Sequence, residues 1–161
     1  MIAAMLVIIW HSRTGAARAL AEAAHRASEG RARLLSAETA QADDLLGASG
    51  YLFACPENLG TMSGMMKEFF DRNYYPLLGQ IEGRPYATII AAGSDGQGAL
   101  AQLDRIVTGW RLRRVAEPMI VNLRVQTMEA ILAPKIVPDK ALDAAAELGS
   151  ALAEGLATGV F

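Results

Sequence analysis

Four short apolar runs recur along the chain, at residues 1–10, 50–55, 85–92 and 114–122. They show little of the alternation of a half-exposed sheet, which predicts parallel strands covered on both faces. A weaker fifth strand is predicted at 31–37, where polar residues interrupt the run and suit a place nearer the sheet edge. Between the runs the period changes. Ala17, Leu20, Ala21 and Ala24 fall at i, i+3, i+4 and i+7 while Arg18, Glu22, Arg26 and Glu29 take the other face, predicting an amphipathic helix that Gly30 stops. Met66, Phe69, Phe70 and Asn73 line a second helix, with Lys67/Asp71 and Glu68/Arg72 as i,i+4 pairs on its solvent side. Leu103, Ile106, Val107 and Trp110 mark a third. A last helix follows Pro138, with Asp139 as the expected N-cap and Leu142, Ala145, Gly149 and Leu152 as its inner face. Residues 38–48 admit either a short helix or a plain crossing of the sheet edge.

Strands that alternate with helices call for right-handed βαβ crossovers and an α/β doubly wound sheet with helices on both faces. The economical topology is a five-stranded parallel sheet of order 2-1-3-4-5, with a ligand site where the strand order reverses. A length of 161 residues suits a single domain, 1–161. Hydrophobic residues at 52% and charged residues at 20% describe a globular chain rather than a disordered one. The formal net charge of −2 lacks the Lys/Arg excess that a nucleic-acid partner requires. A single cysteine, Cys55, excludes an intramolecular disulfide and a Cys-rich metal site, and points to a reducing cytoplasm. The first apolar run has no basic segment before it and no cleavage pattern after it, and it is too short to span a bilayer, so it reads as a strand and no membrane association is expected.

In such a sheet the polar loops after strands one, three and four emerge together at one edge. The first, after His11, reads Ser12, Arg13, Thr14, Gly15, Ala16, Ala17 and opens directly into a helix, whose unpaired N–H groups and dipole favour an anion. The hydroxyls of Ser12 and Thr14 and the missing Cβ of Gly15 make a phosphomonoester cradle; the same residues serve as ordinary turn and capping residues. The second loop, Cys55, Pro56, Glu57, Asn58, Leu59, Gly60, Thr61, Met62, Ser63 and Gly64, offers amide donors and an apolar side chain to the edge and face of a planar heterocycle. Alternatively Ser63 or Thr61 caps the next helix and Met62 enters the core. The third loop, Gly93, Ser94, Asp95, Gly96, Gln97 and Gly98, offers further N–H donors or is a mobile glycine turn.

Competing motifs fail. No G-x-x-x-x-G-K-[ST] is present, and Gly93, Gly96 and Gly98 have the wrong spacing and place for the dinucleotide fingerprint. A phosphatase of Cys-x5-Arg type would need an arginine where Thr61 stands, which leaves Cys55 as a buried strand residue. His11 and His25 make no metal site; His25 is expected on the exposed face of its helix, and Asp43 and Asp44 are expected to face solvent.

Together the three loops resemble the flavodoxin superfamily, and within it the NAD(P)H-dependent FMN and quinone reductases. Residues 12–17 resemble the flavodoxin phosphate loop Ser/Thr-x-Thr-Gly-x-Thr, with Ala17 in place of the last hydroxyl. Residues 56–67 resemble the quinone-reductase stretch ending Gly-x-Met-x-Gly-x-Met-Lys. The resemblance implies bound FMN, its isoalloxazine against residues 56–62 and its far edge against Gly93, Ser94, Asp95 and Gly96. It implies NAD(P)H as electron donor, a quinone, flavin or similar small molecule as acceptor, no side chain acting as acid or base, and a homodimer or homotetramer. An electron carrier without substrate turnover and a flavin-free module that kept the fold are the alternatives. The long connection 117–138, carrying Met119, Met128, Ile131 and Leu132, is either a dimer contact or lid, or a packed surface loop.

Overall fold

A computed structural model describes residues 4–161. The strands are β1 (Leu6–Trp10), β2 (Ala32–Ser36), β3 (Gly50–Asn58), β4 (Thr61–Met62), β5 (Pro85–Ala92), β6 (Arg113–Arg114) and β7 (Met119–Asn122). The helices are α1 (Ala16–Ala27), α2 (Ala42–Leu46), α3 (Gly64–Leu77), α4 (Gln97–Gly109), α5 (Met128–Leu132) and α6 (Asp139–Thr158). All strand pairs are parallel except β3 with β4, and the order is β2-β1-β3-β5, with β6 and β7 both beside β5. With the short arm β4 set aside and β6 and β7 taken as one interrupted strand, this is the expected flavodoxin-like order, reversing between β1 and β3.

Period-2 alternation divides the interior into two layers. Val7, Ile9, Tyr51, Phe53 and Cys55 face α3 and α4, where Phe53, Phe70 and Trp110 pack in sequence as tilted rings at separations of 5.4 and 5.5 Å. Leu6, Ile8, Leu52 and Ala54 face α1 and α6, and this layer is thin because α1 presents alanines. There the helices nearly touch: a Cβ on Gly149 would lie 2.2 Å from the Ala24 carbonyl oxygen. The i,i+4 pairs of α3 form as expected, Lys67 with Asp71 at 2.5 Å and Arg72 with Glu68 at 3.1 Å.

Six boundaries or placements differ from expectation. The first strand begins at Leu6, because its ladder to β2 and β3 begins there; residues 1–3 of the predicted strand lie outside the described residues. The third strand does not stop at Cys55 but runs on to Asn58, because Glu57 and Asn58 gain antiparallel partners in Met62 and Thr61. The fifth is broken, since Ala87 and Thr88 of β5 stand opposite residues 115–118, a bulge that contains Pro118 with no N–H to donate. Pro138, not Asp139, occupies the N-cap of α6. His25 is half-buried on α1, and Asp44, also half-buried, accepts from the Gln41 N–H at 2.8 Å and pairs with Arg33. Residues 38–48 resolve into the short helix α2.

Candidate functional site

The loop between β1 and α1 is set by Gly15, which caps the helix at φ 103°, a conformation that only glycine adopts without strain. Its N–H donates to Ser12 Oγ at 3.1 Å, folding the loop back on itself. The following N–H groups, at Ala16 and Ala17, have no carbonyl one turn back within the helix and point out of its N-terminus. His11, at the start of the loop, is buried, its Nδ1 2.8 Å from Ser63 Oγ. That contact explains why Ser63, at the N-cap of α3, makes no side-chain cap.

Burial pushes the His11 imidazole below its ordinary value; Glu38 opposes this and Arg13 adds to it. In the unfolded chain the ring titrates near about 6.5, so on acidification the unfolded chain binds the proton first. The stability His11 contributes is therefore present above that value and lost as pH falls through the depressed folded one. Denaturant unfolding of the wild type between about pH 7.5 and about pH 5.5 should accordingly be steeper in pH than that of His11→Gln. Equal slopes would mean that His11 titration does not contribute to stability in this range.

The second loop is a β-hairpin. Leu59 and Gly60 form its two-residue tip, both at positive φ (54° and 77°), as a type I′ turn demands. Leucine is strained there, and its side chain is fully exposed. The hairpin is clamped to α4. Glu57 accepts from the N–H groups of Gly96 at 2.8 Å and Ala99 at 3.0 Å, and the Met62 N–H donates to Gln102 Oε1 at 2.8 Å. Glu57 thus neutralises the N-terminus of α4. Cys55, just before the hairpin, is wholly buried and its thiol is pushed up to about 12 by desolvation, so it is no nucleophile at neutral pH.

Residues 123–135 close the opposite side. The Leu123 and Val125 N–H groups donate to Ala92 and Gly93, and the Lys135 N–H donates to the Thr14 carbonyl at 2.8 Å, strapping this segment to the first and third loops. The result is a cleft of about 420 Å³ at the carboxyl ends of β1, β3 and β5. Of the residues singled out in sequence, Ser12, Arg13, Thr14, Ala16, Ala17, Pro56, Glu57, Asn58, Leu59, Gly60, Gly93 and Ser94 line it. Gly15, Thr61, Met62, Asp95 and Gly96 do not. Gly15 and Gly96 shape the helix starts, Asp95 is exposed, Met62 is buried in the core, and Thr61 faces a second depression across the hairpin. Ala91, Ala92, Leu123, Val125, Ile131, Leu132 and Lys135 complete the wall and were not read from the loops; the length of the 117–138 connection and its Ile131 and Leu132 were the signal for that side.

The lining has two characters. Hydroxyls of Ser12 and Thr14, outward N–H groups and the Lys135 ammonium gather at the start of α1; Pro56, Leu59, Val125, Ile131 and Leu132 supply apolar surface elsewhere. Such a set suits a ligand with an anionic end and a flat apolar body. Among the described residues no group of three or more His, Cys, Asp or Glu could hold a metal ion, and no helix is long and apolar enough to cross a membrane.

Residues 31–123 match the family described as NADPH-dependent FMN reductase. A flavodoxin of Aquifex aeolicus (strain VF5) is 33% identical over 97 residues, which cover 58% of this chain and 52% of that protein; the chain spans about half the length of the curated relative it matches. In three dimensions the chain is similar to a flavodoxin from the domain Archaea, with TM-score 0.76 and 18% identity over 94% of this chain and 98% of that one. It is likewise similar to a WrbA-like flavodoxin from Agrobacterium tumefaciens, with TM-score 0.70 and 18% identity over 96% and 98% of the two chains. Likeness at that identity is likeness of fold.

Proposed function

Because the chain belongs to the NADPH-dependent FMN reductase family and has a flavodoxin-like fold, we propose that its cleft binds FMN and that the protein passes electrons from NAD(P)H to a quinone, a flavin or a similar small acceptor. The observation that carries this reading is the two-character cleft at the strand-order reversal, with its donors at the start of α1 and its apolar walls on the hairpin and the 123–132 segment.

The chemistry that bound FMN would supply is acceptance of hydride from a nicotinamide and delivery of electrons to an acceptor. This chain's residues bind and orient. Ser12, Thr14 and the first-turn N–H groups of α1 would hold the phosphate. Leu59 and Pro56 on one wall, and Val125, Ile131 and Leu132 on the other, would sandwich the ring and exclude water from it. Backbone N–H groups of the hairpin tip and of the third loop would meet the polar ring edge, where the charge of reduction develops. Glu57 keeps its charge on α4 and off the ring. A homodimer or homotetramer accompanies this reading, with the exposed Met128, Ile131 and Leu132 as the surface for it.

The second reading, an electron carrier, draws on the flavodoxin relative; against it stands a net charge of only −2, too small for a strongly acidic docking face. Anaerobic mixing of the FMN-loaded protein with NADPH and with NADH separates the two. A reductase loses its flavin absorbance with a nicotinamide donor and regains it when a quinone is added. Bleaching by dithionite but by neither nicotinamide would make it a carrier.

A further inference from the structure

We propose that Lys135 is a specificity-determining residue of this cleft, a fixed cation that recognises the phosphomonoester of the flavin nucleotide and discriminates against the unphosphorylated flavin; the inference rests on the FMN reading above. Lys135 lies 121 positions from Thr14 in the chain, yet its ammonium donates to Thr14 Oγ1 at 3.3 Å. Its other donors go to the carbonyls of Ile131 at 2.7 Å and Ala133 at 2.5 Å, at the end of α5. Capping that short helix accounts for those two bonds. It does not account for the third, at 3.3 Å the longest of the three, which crosses to the loop where the anion cradle lies; that N–H is the one a phosphate oxygen would take over from Thr14 Oγ1.

The charge is uncompensated. The ion pairs among the described residues do not include Lys135. Glu57, the carboxylate on the cleft wall, is committed to the N–H groups of Gly96 and Ala99. A half-buried ammonium surrounded by neutral oxygens, with no carboxylate beside it, is a poor structural choice and a good anion receptor. The cradle also needs one. Ala16 and Ala17 bring no side-chain donor and Arg13, though on the lining, is exposed, so Lys135 is the half-buried cation beside a cradle of two hydroxyls and backbone N–H groups. The carbonyls of Ile131 and of the C-cap Ala133 hold the ammonium before any ligand arrives, and the Lys135 N–H to the Thr14 carbonyl fixes the strap that carries it.

The test is a pair of dissociation constants, for FMN and for riboflavin, measured by flavin fluorescence quenching on apoprotein of the wild type, Lys135→Met and Lys135→Arg. Lys135→Met keeps the backbone strap and removes the charge. It should weaken FMN by about tenfold or more, as loss of one charge-assisted hydrogen bond predicts, and leave riboflavin within about twofold. Lys135→Arg should restore most of the FMN preference, and added salt should weaken FMN less in Lys135→Met than in the wild type. Equal weakening of both flavins would make Lys135 a loop support and overturn the proposal, as would unchanged FMN affinity. A wild type that binds the two flavins equally would overturn it while leaving the flavin site standing. A wild type that binds neither would overturn the FMN reading itself.

Discussion

Gly149→Leu is expected to lower the unfolding midpoint by about 6 to 12 °C, the largest stability loss of any single change considered. A Cβ at this position would stand 2.2 Å from the Ala24 carbonyl oxygen and 2.6 Å from its Cα, both backbone atoms of α1. No rotamer relieves such a contact, so α6 must move away from α1. Overpacking typically costs about 1 to 3 kcal/mol, and a backbone obstacle belongs at the upper end; for a domain of this size each kcal/mol corresponds to about 2 to 4 °C. Gly155→Ala is the control. Its Cβ would meet the Phe161 ring, a side chain able to rotate away, so the loss there should be much smaller. Thermal melts followed by circular dichroism decide the matter, and equal shifts for the two variants would mean that the α1–α6 contact has been misjudged.

Gly98→Val should cost flavin binding about a hundredfold. Its Cβ would come within 2.0 Å of the Gly60 carbonyl oxygen, where the hairpin tip rests on the first turn of α4. The tip must withdraw, and with it go the Glu57 bonds to Gly96 and Ala99. Loss of one wall of the cleft, with the apolar cover of Pro56 and Leu59, predicts about a hundredfold weaker FMN binding, while loss of the Glu57 bonds lowers the unfolding midpoint as well. Riboflavin should weaken equally, because in the proposed site the hairpin would meet the ring and not the phosphate. That parallel loss contrasts with Lys135→Met, where the two flavins part company. FMN affinity within about threefold of wild type in Gly98→Val would show that the hairpin is not a wall of the site.

The elements that bury apolar faces were legible in the sequence. β5 runs over Pro85–Ala92 as expected because all of its side chains are covered, and α1, α3 and α4 follow their 3.6-residue stripes. The hairpin was not legible. Pro56, Glu57 and Asn58 have a loop's composition, and the tip carries Leu-Gly where Asn-Gly or Asp-Gly would announce a type I′ turn. Glu57 was expected only as part of the ring-facing stretch 56–62, and its capping of α4 was hidden because a cap supplied from another element leaves no local signature. Lys135 escaped for the same reason, its partner Thr14 being fixed only once the sheet is assembled. The fold and the three loops were therefore readable from local pattern, whereas the clamps that hold the loops in place depend on long-range contact.

Whether this cleft is an FMN site is decided by titrating FMN into the purified apoprotein and following the quenching of flavin fluorescence together with the visible absorption spectrum. One FMN should bind saturably per chain, with a perturbed flavin band and tighter binding than riboflavin. A colourless protein that leaves the fluorescence of added FMN unchanged would contradict an FMN site here.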